Sequence, residues 1–284
     1  MIGLYIAICM LLLLVAVWLF LIAAKKDKKM DNFKSVYYAH RGLHGKLPGY
    51  EDAFPENSLA AFARAVEKGF GIELDVRQTA DGEIVVFHDD TLDRVAGVEG
   101  KVRDMTLSEL KEFTLLETEE KIPLFTEVLE LVAGKVPLLV EIKDDGFGAS
   151  TVRKTMKILE GYSGEYITES FNPLLLGEVK KCAPSVMRGF LCDKLTAKPQ
   201  YRALKYRIVQ RHLLNFIARP HFIACARESS KMFPIGIIRT LFRPAFIAWT
   251  IRSAEEERDA RARGFNGVIF EGYIPERARS EADK

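Results

Sequence analysis

The sequence predicts an α/β fold in which most strands run parallel. Short apolar runs typical of strands alternate with amphipathic helical segments along most of the 284 residues, and this alternation indicates right-handed crossovers between parallel strands. Hydrophobic residues make up 48% of the chain, which is ample for a large core. Beyond an apolar N-terminal stretch, roughly 255 residues remain, enough for one α/β barrel or two small domains.

The apolar N-terminal stretch, residues 1–24, contains no charged side chain. As a helix rising about 1.5 Å per residue, it is long enough to cross roughly 30 Å of hydrocarbon. Lys25, Lys26, Lys28 and Lys29 follow it, whereas a secretory signal carries its positive charge before the apolar run. The pattern favours a single-pass membrane anchor with the following domain on the cytoplasmic side. A cleaved signal is the alternative.

The first half of the remaining chain contains one helix and three strands in order. Asn57 or Ser58 is placed to cap the helix, and Asp81-Gly82 is a strong hairpin turn signal. The predicted strands are 36–39, 72–76 and 84–87, and the predicted helix is 57–68.

The second half continues the alternation to the C-terminus. Helices are predicted from residue 106 with a capping pattern, and over 123–132, 150–159, Pro173–Cys182 and 254–263; strands are predicted over 137–142, 166–171, 187–191, 221–225, 246–250 and Gly267–Phe270. These strands bring the total to about nine, one more than a closed eight-stranded barrel needs. We therefore expect either 84–87 or 221–225 to lie outside the regular strand order.

Three carboxylates lie in apolar strand segments. Glu73 and Asp75 are two residues apart and face the same side of their strand, as do Glu141 and Lys143. Active sites of parallel barrels form at the C-terminal strand ends. Glu73, Asp75 and Glu141 are thus candidate oxygen ligands for Mg²⁺ or Ca²⁺, with structural ion pairs as the alternative.

Two histidines, His40 and His88, each end a predicted strand. Imidazole titrates near neutrality, so both are candidates for proton transfer. Arg41 offers a fork of N–H donors to a phosphate, or pairs with a neighbouring carboxylate. Lys143 neutralises phosphate charge, or pairs with Glu141 or Glu73. His44, His212 and His221 have no such context and are assigned to structural or surface roles.

Five short motifs in the correct order resemble the glycerophosphodiester phosphodiesterase family. They are His40-Arg41-Gly42, the run 55–62 (PENSLAAF), the run 73–76 (ELDV), the run 81–89 (DGEIVVFHD) and Glu141-Ile142-Lys143. Ser170-Phe171-Asn172-Pro173 is similar to a further family element. The resemblance covers residues 36 to about 275 and is densest before residue 145.

The resemblance implies a TIM-type (β/α)8 barrel with a small insertion at residues 89 to about 122. It implies metal-dependent hydrolysis of glycerophosphodiesters to an alcohol and glycerol 3-phosphate. Glu73, Asp75 and Glu141 would hold Mg²⁺ or Ca²⁺, His40 and His88 would be the acid/base pair, Arg41 and Lys143 would lie near the phosphate, and Phe171 and Trp249 would line the pocket. The domains would be an anchor (1–24), a lysine-rich linker (25–34) and the phosphodiesterase barrel (35–284).

The C-terminal part departs from the family pattern. Where the family commonly has Asn, the run Trp249-Thr250-Ile251-Arg252 ends in Arg252, and where the last strand commonly ends in Thr-Asp this chain has Phe270-Glu271. These changes leave the histidines and the metal ligands intact. They put the usual recognition of the head group in question.

The segment 194–220 contains seven Lys or Arg and no Asp or Glu. Over 201–218 these cations interleave with aliphatic residues, as in a basic amphipathic helix on an anionic membrane, and the apolar stretch 232–247 extends this pattern. An outer barrel helix with a solvated basic face is the alternative.

Four functional alternatives follow from the whole sequence. The first two are hydrolysis of glycerophosphodiesters and, at the membrane, lysophospholipase D activity. The expected partners are therefore a glycerophosphodiester or lysophospholipid substrate and membrane lipids. A phosphatidylinositol-type phospholipase C-like lyase and a non-catalytic membrane-anchored binding module are the other candidates. The formal net charge of +2 gives no indication of nucleic-acid binding.

Overall fold

The structure is a computed structural model in which residues 1–47, 51–194 and 202–276 are described. Its centre is a closed barrel of eight parallel strands, which confirms the predicted fold class. The first strand, β1 (Tyr37–Ala39), closes the barrel by pairing with β2 (Gly71–Gln78) on one side and β9 (Gly267–Phe270) on the other. The strands between them are β4 (Leu138–Ile142), β5 (Tyr166–Ser170), β6 (Arg188–Cys192), β7 (Phe222–Ala226) and β8 (Ala245–Ile251).

The remaining described strand, β3 (Ile84–Val86), lies outside the barrel order. It pairs antiparallel with the last residues of β2, after a turn in which Gly82 has a φ of 91°. Of the two strands suspected of displacement, 84–87 is therefore the displaced one, whereas 221–225 corresponds to barrel strand β7. The hairpin also explains why β2 is longer than the predicted 72–76, because its last residues pair with β3.

Helices follow the strands and cover the outside of the barrel. Local sequence sets several of their starts: the hydroxyl of Ser58 accepts from the N–H of Ala61, and Asn172 caps a helix whose first residue is Pro173. The described α-helices after the N-terminal one are α2 (Leu59–Glu67), α3 (Asp93–Ala96), α4 (Leu107–Leu110), α5 (Phe125–Val132), α6 (Ala149–Leu159), α7 (Pro173–Cys182), α8 (Leu204–Gln210), α9 (Asn215–Ala218), α10 (Ile235–Ile237) and α11 (Ala254–Ala262).

The core has three parts. The largest lies between the strands and the surrounding helices. A second fills the barrel interior and includes Met30 and Phe33 from the lysine-rich segment, so part of that segment is built into the barrel. The third belongs to the predicted insertion between β3 and α5, where Leu92, Val95 and Leu110 are fully or almost fully buried.

The N-terminal helix, α1 (Ile2–Ile22), packs against the barrel only at its C-terminal end. Ile22 is fully buried, and its carbonyl accepts a hydrogen bond from the side chain of Asn215 at 3.0 Å. The ring of Trp18 stacks on Phe233, with centroids 5.4 Å apart. Among the described residues, α1 is the one helix long and apolar enough to cross a membrane, a property that an anchor and a signal sequence share.

The basic segment does not form the single helix predicted over 201–218. Tyr201 lies outside the described residues, and the rest divides into α8 and α9. His212, with a φ of 58°, lies at the turn between them, and a left-handed residue cannot continue a right-handed helix. His212 is buried against the ring of Phe190, which agrees with a structural role.

Candidate active site

The predicted carboxylates meet at the C-terminal end of the barrel. In the paired strands β2 and β4, Asp75 lies directly opposite Glu141. Glu73, Asp75 and Glu141 are all buried, and one carboxylate oxygen of each lies within 4.8 Å of the other two. Because β2 and β4 are parallel and adjacent, the spacing seen in the sequence brings the three groups to one place.

Lys143 lies among these acids. Its Nζ is 2.8 Å from an oxygen of Asp75 and 2.8 Å from an oxygen of Glu141. Of the predicted alternatives, this structure shows the ion pair with Glu141, with Asp75 in place of Glu73 as the second partner. Burial alone would raise the pKa of Asp75, but Lys143, His88 and Arg41 outweigh it and hold that pKa well below its usual range.

The other two carboxyl groups are less well compensated. Burial raises the pKa of Glu73 well above its usual range, and the charges of Asp75 and Glu141 raise it further. Burial also raises the pKa of Glu141, although Lys143 opposes the shift. A cluster of carboxylates that burial and mutual repulsion drive toward protonation fits a divalent cation, since hard oxygen ligands and added positive charge would restore the ionised forms.

Arg41 joins the acidic cluster to the loop before α2. Its backbone N–H donates to Glu73 at 2.8 Å, and its guanidinium donates to Glu56 at 2.7 Å. Asn57, in the same loop, donates from its side chain to Asp75 at 2.8 Å. Arg41 has a φ of 53°, an unfavourable value for a long side chain. These contacts hold its guanidinium beside the acids. Of the two roles predicted for Arg41, the structure therefore shows the ion pair with a neighbouring carboxylate, Glu56.

His88 is oriented by the insertion. Its Nδ1 is 2.7 Å from a carboxylate oxygen of Asp89, whose other oxygen accepts from Arg94 in α3 at 2.6 Å. Arg94 also donates through both Nη atoms to Glu56. Burial lowers the pKa of His88 to about 4, so its imidazole is neutral at pH 7. Arg94 thus links Glu56, the partner of Arg41, to Asp89, the partner of His88.

His40 is oriented by the last strand. Its Nδ1 is 2.5 Å from Glu271, whose other carboxylate oxygen lies 3.4 Å from Arg252. Burial lowers the pKa of His40, while the hydrogen bond with Glu271 opposes the shift. His44, assigned from sequence to a structural or surface role, lies within 4.8 Å of His40 and Glu271. The two departures from the family pattern, Arg252 and Glu271, therefore contact each other and one of them contacts His40.

The predicted pocket residues lie together above the barrel interior. The rings of Phe171 and Trp249 meet edge to face, with centroids 5.7 Å apart. Both are partly buried, and the indole N–H of Trp249 has no partner in the described part of the chain. Two aromatic walls and one unused donor suit a polar substrate with some apolar surface.

Besides His44, four residues at the site were given no site role from the sequence, although Glu271 was noted as a departure from the family pattern: Glu56, Arg94, Glu169 and Glu271. Glu169 is buried on β5 directly opposite Glu141, and burial raises its pKa well above the usual range. Its position at the end of a predicted strand was an available signal. Glu271 also follows a strand, but its contact with His40 joins residues far apart in the chain, and no local pattern indicates the reach of Arg94.

The sequence is similar to those of known phosphodiesterases. A model of the glycerophosphoryl diester phosphodiesterase family matches residues 40–271. A glycerophosphodiester phosphodiesterase from Caldanaerobacter subterraneus subsp. tengcongensis is 34% identical over 248 residues, which are 83% of this chain and 93% of the relative. Human glycerophosphodiester phosphodiesterase 1 is 33% identical over 139 residues, 45% of this chain and 39% of that protein.

Solved structures share the fold. A glycerophosphodiester phosphodiesterase from Thermotoga maritima is 28% identical, with a TM-score of 0.61, and the match covers 83% of this chain and 93% of that one. A phosphodiesterase from Oleispira antarctica, solved in complex with the product sn-glycerol-3-phosphate, has a TM-score of 0.68 at 23% identity and covers 84% of this chain and 94% of its own.

Proposed function

The chain belongs to the glycerophosphodiester phosphodiesterase family of phosphoric diester hydrolases, and we propose that it cleaves glycerophosphodiesters with a divalent cation held by Glu73, Asp75 and Glu141. The observation that carries this proposal is the convergence of three buried carboxylates within reach of one ion. When bound, Mg²⁺ or Ca²⁺ would supply positive charge to the phosphate oxygens. The identity of the ion follows from the experiment below.

The two histidines supply the proton transfers in this proposal. Each has Nδ1 engaged by a carboxylate, Glu271 for His40 and Asp89 for His88. The carboxylate favours the proton on Nδ1, which leaves Nε2 free to act on a reacting oxygen. The neutral histidine accepts a proton on Nε2 from the attacking hydroxyl, and the other, protonated on both nitrogens, donates its Nε2 proton to the departing alkoxide. The family resemblance implies that a hydroxyl of the glycerol attacks the phosphorus while the bond to the head-group alkoxide breaks, which gives a cyclic phosphate that water then opens.

Arg41 and Lys143 would position the phosphate. Both cations lie against the acidic cluster, and the guanidinium of Arg41 is only 15% exposed. Partly desolvated cations act on an anion more strongly than solvated ones do. Phe171 and Trp249 would form the wall that the head group contacts, and Arg252 and Glu271 add charge near the first histidine where the family commonly differs.

The first prediction tests the metal site. Turnover of glycerophosphocholine, measured as release of glycerol 3-phosphate, should stop in EDTA and return with Mg²⁺ or Ca²⁺, whichever the site uses. Glu73→Gln should lower turnover by about 100-fold or more, because a neutral amide is a poor replacement for an anionic ligand. Glu67→Gln, at an exposed position in α2, is the matched control and should retain full activity. Full activity of Glu73→Gln in excess EDTA would refute the metal-dependent mechanism.

The same assay separates the hydrolase from the lyase alternative. A phosphatidylinositol-type phospholipase C-like lyase would release a stable cyclic phosphate, whereas a hydrolase opens it with water. Phosphorus NMR of the reaction mixture distinguishes the two products. Absence of turnover on any diester, with a folded protein, would favour the non-catalytic binding module.

Lysophospholipase D activity at a membrane is the second candidate, favoured by α1 and the basic α8. We place residues 1–24 as a single-pass anchor, 25–34 as a lysine-rich linker and 35–284 as the barrel domain on the cytoplasmic side. Burial of Ile22 in the main core supports a retained anchor, because a cleaved signal contributes nothing to the mature fold. Hydrolysis of lysophosphatidylcholine in vesicles would establish this activity.

A further inference from the structure

The direction of α1 relative to the barrel can be read from its contacts. Lys25, just after the helix, donates its N–H to the carbonyl of Pro220, which precedes the N-terminal end of β7. Trp18, seven residues or about two turns earlier, stacks on Phe233 in the segment that follows the C-terminal end of β7. From its C-terminus to its N-terminus, α1 therefore runs from the closed end of the barrel, where the strands begin, toward the catalytic mouth, where they end. The residues before Val15 continue in that direction.

Exposed apolar side chains surround the same end of the barrel. Phe147, Leu174, Leu204 and Phe233 are 36%, 61%, 71% and 63% exposed. Each lies in the connection that leaves the C-terminal end of one of four consecutive barrel strands, β4 to β7, and Phe147, Leu174 and Phe233 lie within seven residues of the strand end. We call these four the rim residues. At the opposite end, the described connections into the barrel strands carry one such residue, Leu241, which is 57% exposed and lies four residues before β8.

The length of α1 determines how deep the barrel would lie. A membrane span takes about 20 apolar residues, and α1 has 21. Its last eight residues run beside the barrel for about 12 Å, where Val15, Trp18 and Leu19 face a groove that includes Phe233 and Leu241. A full span therefore also draws this side of the barrel toward the hydrocarbon, where the exposed large apolar side chains of the groove are Phe233 and Leu241, with Lys231 exposed at its edge.

We propose that the catalytic mouth of the barrel faces the bilayer and that the rim residues Phe147, Leu174, Leu204 and Phe233 contact lipid. The occupant of this apolar surface is one leaflet of the membrane that α1 crosses. This inference rests on the proposed function, and it assigns the substrate class: a diester whose acyl chain stays in the leaflet while its phosphate enters the mouth.

Depth-dependent quenching in the full chain tests this orientation. A dye is attached at Leu174→Cys on the rim, or at Ser185→Cys in the loop between α7 and β6 at the opposite end. The exposed Cys9 and Cys182 are replaced by Ser, and Cys192 and Cys225 are buried and so protected from labelling. Each protein is reconstituted in phosphatidylcholine vesicles that contain doxyl-labelled lipid. The label at residue 174 should lose fluorescence, and the label at residue 185 should not.

The other outcomes overturn the proposal. Quenching at residue 185 alone would mean that the closed end faces the membrane, equal quenching would mean no fixed orientation, and no quenching would mean that the barrel stands away from lipid. Turnover of soluble glycerophosphocholine is measured on the same samples. Loss of that turnover in the unlabelled parent protein would contradict the proposed function while leaving the quenching result valid.

Discussion

At the scale of residues, each histidine is hydrogen-bonded to a carboxylate, and each carboxylate is in turn paired with an arginine. His88 is held by Asp89 and Arg94, and His40 is held by Glu271 and Arg252. Each carboxylate keeps a proton on Nδ1, and each arginine keeps its carboxylate ionised. The pKa of Glu271 is lowered to about 2, mainly by its hydrogen bond with His40.

Removal of either imidazole should impair proton transfer. His40→Ala and His88→Ala should each lower kcat by about 100-fold or more, since one proton-transfer step then lacks its catalyst. A substrate with an acidic phenol as leaving group should rescue only the variant that lacks the general acid. Circular dichroism checks that both variants are folded. Rates close to wild type in both would end the assignment.

Glu271→Gln should shift the pH dependence of turnover. Glu271 raises the pKa of His40, so loss of its charge lowers that pKa. The limb of the kcat/KM profile that reports His40 should move to lower pH, whichever of the two proton-transfer roles it has. Glu276→Gln, an exposed carboxylate nearby, is the control and should leave the profile unchanged. An unshifted profile with reduced stability would assign Glu271 a purely structural role.

At the scale of elements, the sequence pattern predicted the parts of the barrel that depend on local information. Pro173–Cys182 and Gly267–Phe270 have the predicted bounds, since capping by Asn172 and a compact apolar run are visible in the sequence. The division of 201–218 into two helices was not predicted. It depends on the left-handed backbone of His212, and the burial of that residue comes from distant packing.

The site divides in the same way. The acids of β2 and β4 and both histidines were found because strand ends converge in any parallel barrel. Glu271 was missed because it meets His40 only when the first and last strands pair. Arg94 was missed because it lies in the insertion, whose position over Glu56 no local pattern determines. The catalytic, phosphate-binding and metal-binding roles of the predicted residues stay predictions.

Two deletions distinguish the parts of α1. A chain lacking residues 1–22 should lose roughly 2 kcal/mol or more of unfolding free energy, because burial of Ile22 and the packing of Trp18 are lost. A chain lacking only residues 1–14, which are exposed, should unfold at the same temperature as the full chain. Thermal unfolding in one detergent compares the three proteins. Equal stability of all three, or a natural mature chain that begins after residue 24, would favour a cleaved signal.

At the scale of the whole molecule, the two ends of the barrel differ in character. The mouth combines the acidic cluster with an apolar rim, and the closed end is filled by Met30 and Phe33 of the lysine-rich segment. Basic α8 lies in the connection that leaves the mouth end of β6. The candidate catalytic groups and the exposed apolar side chains therefore share one end of the molecule, and the basic segment belongs to a connection that leaves that end.

Neutralising the basic segment should affect membrane substrates selectively. Replacement of Arg202, Lys205, Arg207 and Arg211 by Gln should weaken turnover of lysophospholipid in anionic vesicles, since each cation near the surface contributes about 1 kcal/mol. Turnover of soluble glycerophosphocholine should not change, and the difference should shrink at high salt. Substitution of four lysines toward the closed end, Lys68, Lys135, Lys157 and Lys181, is the control for net charge. Equal loss on both substrates would mean that α8 supports the pocket.

The link that Arg94 forms between Glu56 and Asp89 determines which segments of this barrel can be exchanged with those of its relatives. Arg94 belongs to the insertion, yet its partners Glu56 and Asp89 hold Arg41 and His88. A chimera that received a foreign insertion without an equivalent arginine would lose the cation that joins Glu56 to Asp89, would leave Glu56 paired with Arg41 alone, and would hold both functional side chains less firmly. The insertion and the loop before α2 are therefore one exchangeable unit, and a graft that aims to alter head-group preference has to carry both.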